Sequence, residues 1–78
     1  MNKNVGGVMI AMVELTSNLL MDVGYNEEKQ EMLAETRRGG AYVYSSVTKE
    51  LYEGLISTET PDEYFSAKIK NLPNRRVG

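Results

Sequence analysis

The feature that most constrains this chain is residues 24–44, GYNEEKQEMLAETRRGGAYVY, read together with the segment that leads into them. Period-two alternation puts successive side chains on opposite faces of an extended strand, and here it is broken twice by turn-forming residues. Over residues 20–25, Met21, Val23 and Tyr25 alternate with Leu20, Asp22 and Gly24. Over residues 29–37, Met32, Ala34 and Thr36 alternate with Glu31, Leu33 and Glu35. Charges in the second set mark a wet face, as in an antiparallel sheet covered on one side. Asn26-Glu27-Glu28 is the first turn and Arg38-Gly39-Gly40 the second. Paired glycines between strand patterns signal a hairpin, because tight hairpin turns need positive φ. Residues 41–44 are the return strand, with Tyr42 and Tyr44 on one face and β-branched Val43 between them.

The flanks are read against this meander. Residues 8–15 fit two periods. As a strand, Met9, Ala11, Val13 and Leu15 share a face; as a helix, Met9, Met12, Val13 and Thr16 form a stripe. The turn cluster Thr16-Ser17-Asn18 then leads into another strand pattern, which favours the strand. From Thr48 the period becomes helical: Leu51, Tyr52, Leu55 and Ile56 recur, with Lys49, Glu50 and Glu53 outside the stripe. Gly54 inside it costs about 1 kcal/mol relative to Ala, which is tolerable if the helix lies close against the sheet. Thr60-Pro61-Asp62-Glu63 opens a second helix: threonine as N-cap, proline in the first position and Glu63 closing a capping box. Tyr64, Phe65 and Ile69 supply its buried face, and Leu72-Pro73 ends it. The expectation is one α+β domain over residues 1–78, with a small three- to four-stranded antiparallel sheet followed by two α-helices packed on one face. Its core spans about residues 9–72, between flexible ends at 1–7 and 73–78.

Composition bounds the function. The chain has no histidine and no cysteine, so the usual general base, nucleophile and transition-metal ligands are missing. Ser17, Ser45 and Ser46 have no paired base. Glu27, Glu28, Glu31 and Glu35 are the residue type for a hard cation, yet strung across a turn and along a strand they read as a solvated face. Neither an enzyme nor a cofactor site is expected. The apolar run 8–13 ends at Glu14 and is shorter than a secretory core of about 7–15 residues or a span of about 20. A cytoplasmic domain with no membrane partner is the expectation. Eleven acidic against nine basic residues give a net charge of −2, which removes the bulk-electrostatic argument for nucleic acid.

A local argument for nucleic acid remains. Arg37 and Arg38 sit at a hairpin, Tyr42 and Tyr44 on a strand, and Lys68, Lys70, Arg75 and Arg76 near the end of the chain. Basic side chains neutralise phosphates, and exposed aromatic rings stack unpaired bases. If the hairpin tip and the end of the second helix meet, six of the nine basic residues form one patch. Alternation leaves open whether each tyrosine ring faces the helices or a ligand. The competing reading is a protein-interaction module, such as a phage or mobile-element inhibitor or adaptor. Its apolar contact would come from Leu33, Val43 and the Met9/Met12 pair, since methionine adapts to varied partners. A homodimer through an unpaired sheet edge, or a homo-oligomer sequestering a nucleotide-like ligand, are related forms.

The order TSN (16–18), VGYN (23–26), RRGG (37–40), YVY (42–44), LYEGLIST (51–58) and YFSAKIKN (64–71) resembles the KTSC domain. That family takes its name from a C-terminal segment of some lysyl-tRNA synthetases and also occurs as free-standing small bacterial and phage proteins. The central Tyr42-Val43-Tyr44 and the later Tyr64-Phe65 are the matching features. The chain departs from the family pattern at Asn26, where aspartate is usual, at Thr48, often proline, at Glu63, often glycine, and at Thr36, usually a larger apolar residue. Association with a tRNA-charging enzyme implies RNA as the partner.

Overall fold

The computed structural model describes residues 2–5 and 8–78, with side chains from Ile10 onward. Alternating segments become strands: β1 (Asn2–Val5), β2 (Val8–Glu14), β3 (Leu20–Asn26), β4 (Glu31–Thr36) and β5 (Ala41–Tyr44). Two helices follow, α1 (Lys49–Ser57) and α2 (Pro61–Lys68), and the chain closes with β6 (Asn74–Arg76). All neighbouring strands pair antiparallel in the order β1-β2-β3-β4-β5-β6. The sheet thus has six strands where three to four were expected. Both additions come from ends read as loose. Asn2–Val5 pairs with β2 and Asn74–Arg76 with β5, while Met1, Gly6 and Gly7 of the expected lead-in lie outside the described residues. Too few apolar residues sit in either segment to show a period, so backbone pairing alone makes them strands.

Both helices lie on one face, and that face holds the main core. Val23, Met32, Ala34 and Tyr44 from the sheet meet Tyr52 and Leu55 of α1, Phe65 of α2 and Ile69 just beyond it. Leu51 and Tyr64 pack at its margin. Tyr25 stacks on Tyr52 with ring centroids 5.0 Å apart, and Tyr44 meets Phe65 edge-on at 5.4 Å. Such aromatic pairs contribute about 0.5–1.5 kcal/mol beyond the area they bury.

The other face is less wet than its glutamates implied. Ile10, Met12, Leu33 and Val43 form a second buried cluster there. Cross-strand partnership puts Met12, Gly24, Leu33 and Val43 in one row. Gly24 leaves the space: a Cβ on it would collide with Ile10 Cγ2 and lie 2.6 Å from Met12 Sδ. Leu33, Val43 and Met12, weighed above as an exposed apolar contact, are therefore core; the side chain of Met9 lies outside the described residues.

Local chemistry sets the ends of the elements. Thr48 caps α1, its hydroxyl accepting from Leu51 N–H at 3.2 Å. Thr60 occupies the N-cap of α2 with Pro61 in the first turn, yet its side chain makes no capping bond. Its hydroxyl lies 3.3 Å from that of Thr58 instead, so the expected capping box does not form. Gly54 makes room for α2 rather than for the sheet. A Cβ there would lie 2.7 Å from Tyr64 Cζ, and the Tyr64 hydroxyl donates to Leu51 O at 2.9 Å.

Candidate nucleic-acid interface

The β4–β5 hairpin supplies one wall of the site. Gly39 N–H donates to Thr36 O at 3.1 Å, and Thr36 N–H donates to Gly40 O at 2.7 Å. This is a three-residue loop closed by a residue at positive φ, the conformation that glycine adopts without steric cost. Gly39 has φ 98°, while Gly40 does not need it. Thr36 locks the loop, its hydroxyl donating to Gly40 O and accepting from Gly40 N–H, both at 3.1 Å.

Arg37 and Arg38 leave this loop in different directions. Arg37 turns back over the β2–β3 loop: its Nε donates to Ser17 O at 2.5 Å and a terminal nitrogen to Leu15 O at 3.3 Å. Its backbone N–H donates to Leu19 O at 3.1 Å. The same loop is gripped from its other side by Asp62 in the first turn of α2. Ser17 Oγ donates to Asp62 Oδ1, and Asn18 N–H donates to both carboxylate oxygens at 3.2 Å. Ser17 Oγ in turn accepts from Leu19 and Leu20 N–H, each at 3.0 Å. Donation from Ser17 first, and from the backbone of Asn18 and Leu19, holds the Asp62 carboxyl below the usual carboxylate range against a smaller opposing effect of burial.

Arg38 instead faces a cleft of about 480 Å³. The cleft lies where the β2–β3 loop (Asn18, Leu19), the β4–β5 hairpin, β6 and the turn after α2 meet. Its floor is Leu20, Tyr44 and Phe65; its wall includes Tyr42, and its cations are Arg38, Lys70 and Arg76. Among the described residues no acidic one lines it. Tyr44 is buried, which pushes its phenol above the usual range, with a smaller push from neighbouring Tyr42. Tyr42 is half-buried. Arg76 is its cross-strand partner on β5–β6 and so shares its face.

The remaining predicted residues lie elsewhere, for the same geometric reason. Neighbours on a strand point to opposite faces, so Arg75 goes opposite Val43 and meets Glu31 at 3.3 Å. Lys68 ends α2 with its ammonium 5.7 Å from the centroid of the Tyr64 ring. Of the eight residues proposed from sequence, the cleft joins Arg38, Tyr42, Tyr44, Lys70 and Arg76, and excludes Arg37, Lys68 and Arg75. The expected patch of six cations is reduced to three. Sequence reasoning missed Asn18 and Leu19 as lining residues and Asp62 as the anchor of their loop; the one signal was the Thr16-Ser17-Asn18 cluster, read as a turn. The glutamates are dispersed: Glu27 pairs with Lys49 at 3.6 Å and Glu31 with Arg75.

A six-stranded meander bearing two helices on one face, with a cationic cleft at their junction, defines a small α+β domain. The KTSC domain model matches residues 16–72, and the chain belongs to the KTSC domain family. The crystal structure of a KTSC domain protein from Yersinia pestis superposes with a TM-score of 0.83 at 20% identity, covering 88% of this chain and 99% of that one. No curated protein matches the sequence. Among the described residues no helix is long and apolar enough to cross a membrane.

Proposed function

We propose that this KTSC domain is a non-enzymatic module that binds single-stranded RNA in the cleft. The observation that supports it is the convergence of Arg38, Lys70 and Arg76 beside the half-buried ring of Tyr42, with no carboxylate in the lining among the described residues. Two regions distant in sequence, the β4–β5 hairpin and residues 70–76, supply those cations to one concavity, which places phosphate-neutralising charge next to an aromatic platform. Arg37 and Asp62 act as positioning residues, since both hold the loop that forms one wall. An apolar protein-contact surface has less support, because Leu33 and Val43 are buried within the chain's own second cluster.

The test is fluorescence anisotropy with a labelled single-stranded RNA across a salt series. Wild type binds more weakly as salt rises, and Arg38→Ala/Lys70→Ala lowers affinity at least about tenfold and flattens that dependence. Arg75→Ala, on the other face of the sheet, leaves binding unchanged. Equal, salt-insensitive binding by wild type and the double variant rules the reading out.

A further inference from the structure

We infer that the cleft recognises a single nucleotide unit, one base with its adjoining phosphates, and carries no track for a longer strand. This rests on the RNA reading above and narrows what is read. The first argument is the fate of the aromatic rings. Of five tyrosines and one phenylalanine, Tyr25 is stacked on Tyr52, Tyr44 is engaged with Phe65, and Tyr64 lies under Lys68. Tyr42 alone lines the cleft half-buried with no ring–ring or cation–π contact among the described residues, one side of its ring packed on the core and Arg76 its cross-strand neighbour. One ring stacks one base.

Charge sets a comparably small limit of three cations. Arg38 and Lys70 are exposed and make no ion pair among the described residues. Among the described residues Arg76 is held through its Nε, which donates to Gly78 O at 2.9 Å. The other cations considered are engaged away from the cleft, Arg37 on backbone carbonyls, Lys68 over Tyr64 and Arg75 on Glu31. Among the described residues no cation beyond these three lines the cleft, and the chain as a whole is acidic at −2. Size agrees. At about 480 Å³ the cleft falls toward the low end of the roughly 300–1,000 Å³ spanned by small-ligand sites, with an apolar floor for a base and a cationic rim for phosphate.

The experiment uses the whole chain and a length series of 5′-phosphorylated oligoadenylates from one to twelve nucleotides, with AMP and adenosine as the shortest probes. Affinity is expected to reach its plateau by about three nucleotides. With at most about three phosphates neutralised on a single strand, the slope of log K against log salt stays no steeper than about −2, a loss of about 15–20-fold between 50 and 200 mM. Adenosine without phosphate binds at least tenfold more weakly than AMP, and Tyr42→Leu weakens AMP and trimer alike. AMP matching the trimer assigns a free nucleotide; a tenfold gain from AMP to trimer assigns a unit within a strand. Both outcomes support the inference. Affinity still climbing from six to twelve nucleotides, with a slope steeper than about −4, overturns it and leaves RNA binding standing. No binding at any length overturns both.

Discussion

Arg37→Ala and Arg38→Ala remove the same charge from adjacent positions of one hairpin, yet their consequences should differ in kind. Arg37 holds the β2–β3 loop through bonds of 2.5 Å to Ser17 O and 3.3 Å to Leu15 O. A hydrogen bond from a charged donor contributes about 1.5–3 kcal/mol when sheltered and less toward water. The outer side of Arg37 is exposed and the second bond is long; the pair together is therefore set at about 1–2 kcal/mol. A domain of this size moves about 4–8 °C in Tm per kcal/mol, so Arg37→Ala should melt about 5–15 °C lower. Arg38 makes no such bond, and its alanine variant should stay within about 0.5 kcal/mol of wild type. Thermal unfolding followed by far-ultraviolet circular dichroism, with urea midpoints as a second measure, decides between them. Arg37→Lys keeps the charge but loses the planar fork, and should fall with Arg37→Ala. Equal shifts for the two alanine variants, or full stability in Arg37→Lys, would refute the argument that geometry divides this pair.

Two further outcomes follow from the packing. Gly24→Ala places a methyl group against Ile10 and 2.6 Å from Met12 Sδ; overpacking of about 1–3 kcal/mol exceeds the roughly 0.5–1 kcal/mol that alanine gains over glycine in a strand. A lower urea midpoint is expected, and an unchanged one would show that the second cluster is loosely packed. Asp62 has a depressed carboxyl pKa, so its stabilising effect is fully present above the ordinary aspartate range and is lost as pH falls through the folded-state value. Asp62→Asn should therefore lower Tm at neutral pH, with the gap to wild type closing below about pH 4. A gap that persists undiminished into acid would sink the assignment of Asp62 as an ionised anchor.

Three of the four departures from the family pattern make local bonds, and nothing in the structure explains Glu63. Asn26 accepts from Lys29 N–H at 3.4 Å across the β3–β4 turn, Thr48 caps α1, and Thr36 locks the hairpin that carries Arg38. Thr48 and Thr36 bond nearby backbone through a hydroxyl, while Asn26 accepts through a side-chain oxygen as an aspartate also does.

The α+β class, the meander of β3, β4 and β5, and the two helices on its face were legible in the residues alone. Periods of two and 3.6 are local properties, and so is a positive-φ glycine, whereas the threonine expected to cap, Thr60, does not, and Thr48 does. The chain could not by itself reveal β1 and β6, because a short polar segment becomes a strand only when a neighbour supplies the other half of its hydrogen bonds. Tertiary structure likewise decided which cations meet. Sequence offers Arg37 beside Arg38 and Arg75 beside Arg76 as if each pair were one group of charge. The turn geometry and the pleat send one member of each to the cleft and the other to a carbonyl or a glutamate, since adjacency along a chain is a distance and direction is set by the backbone.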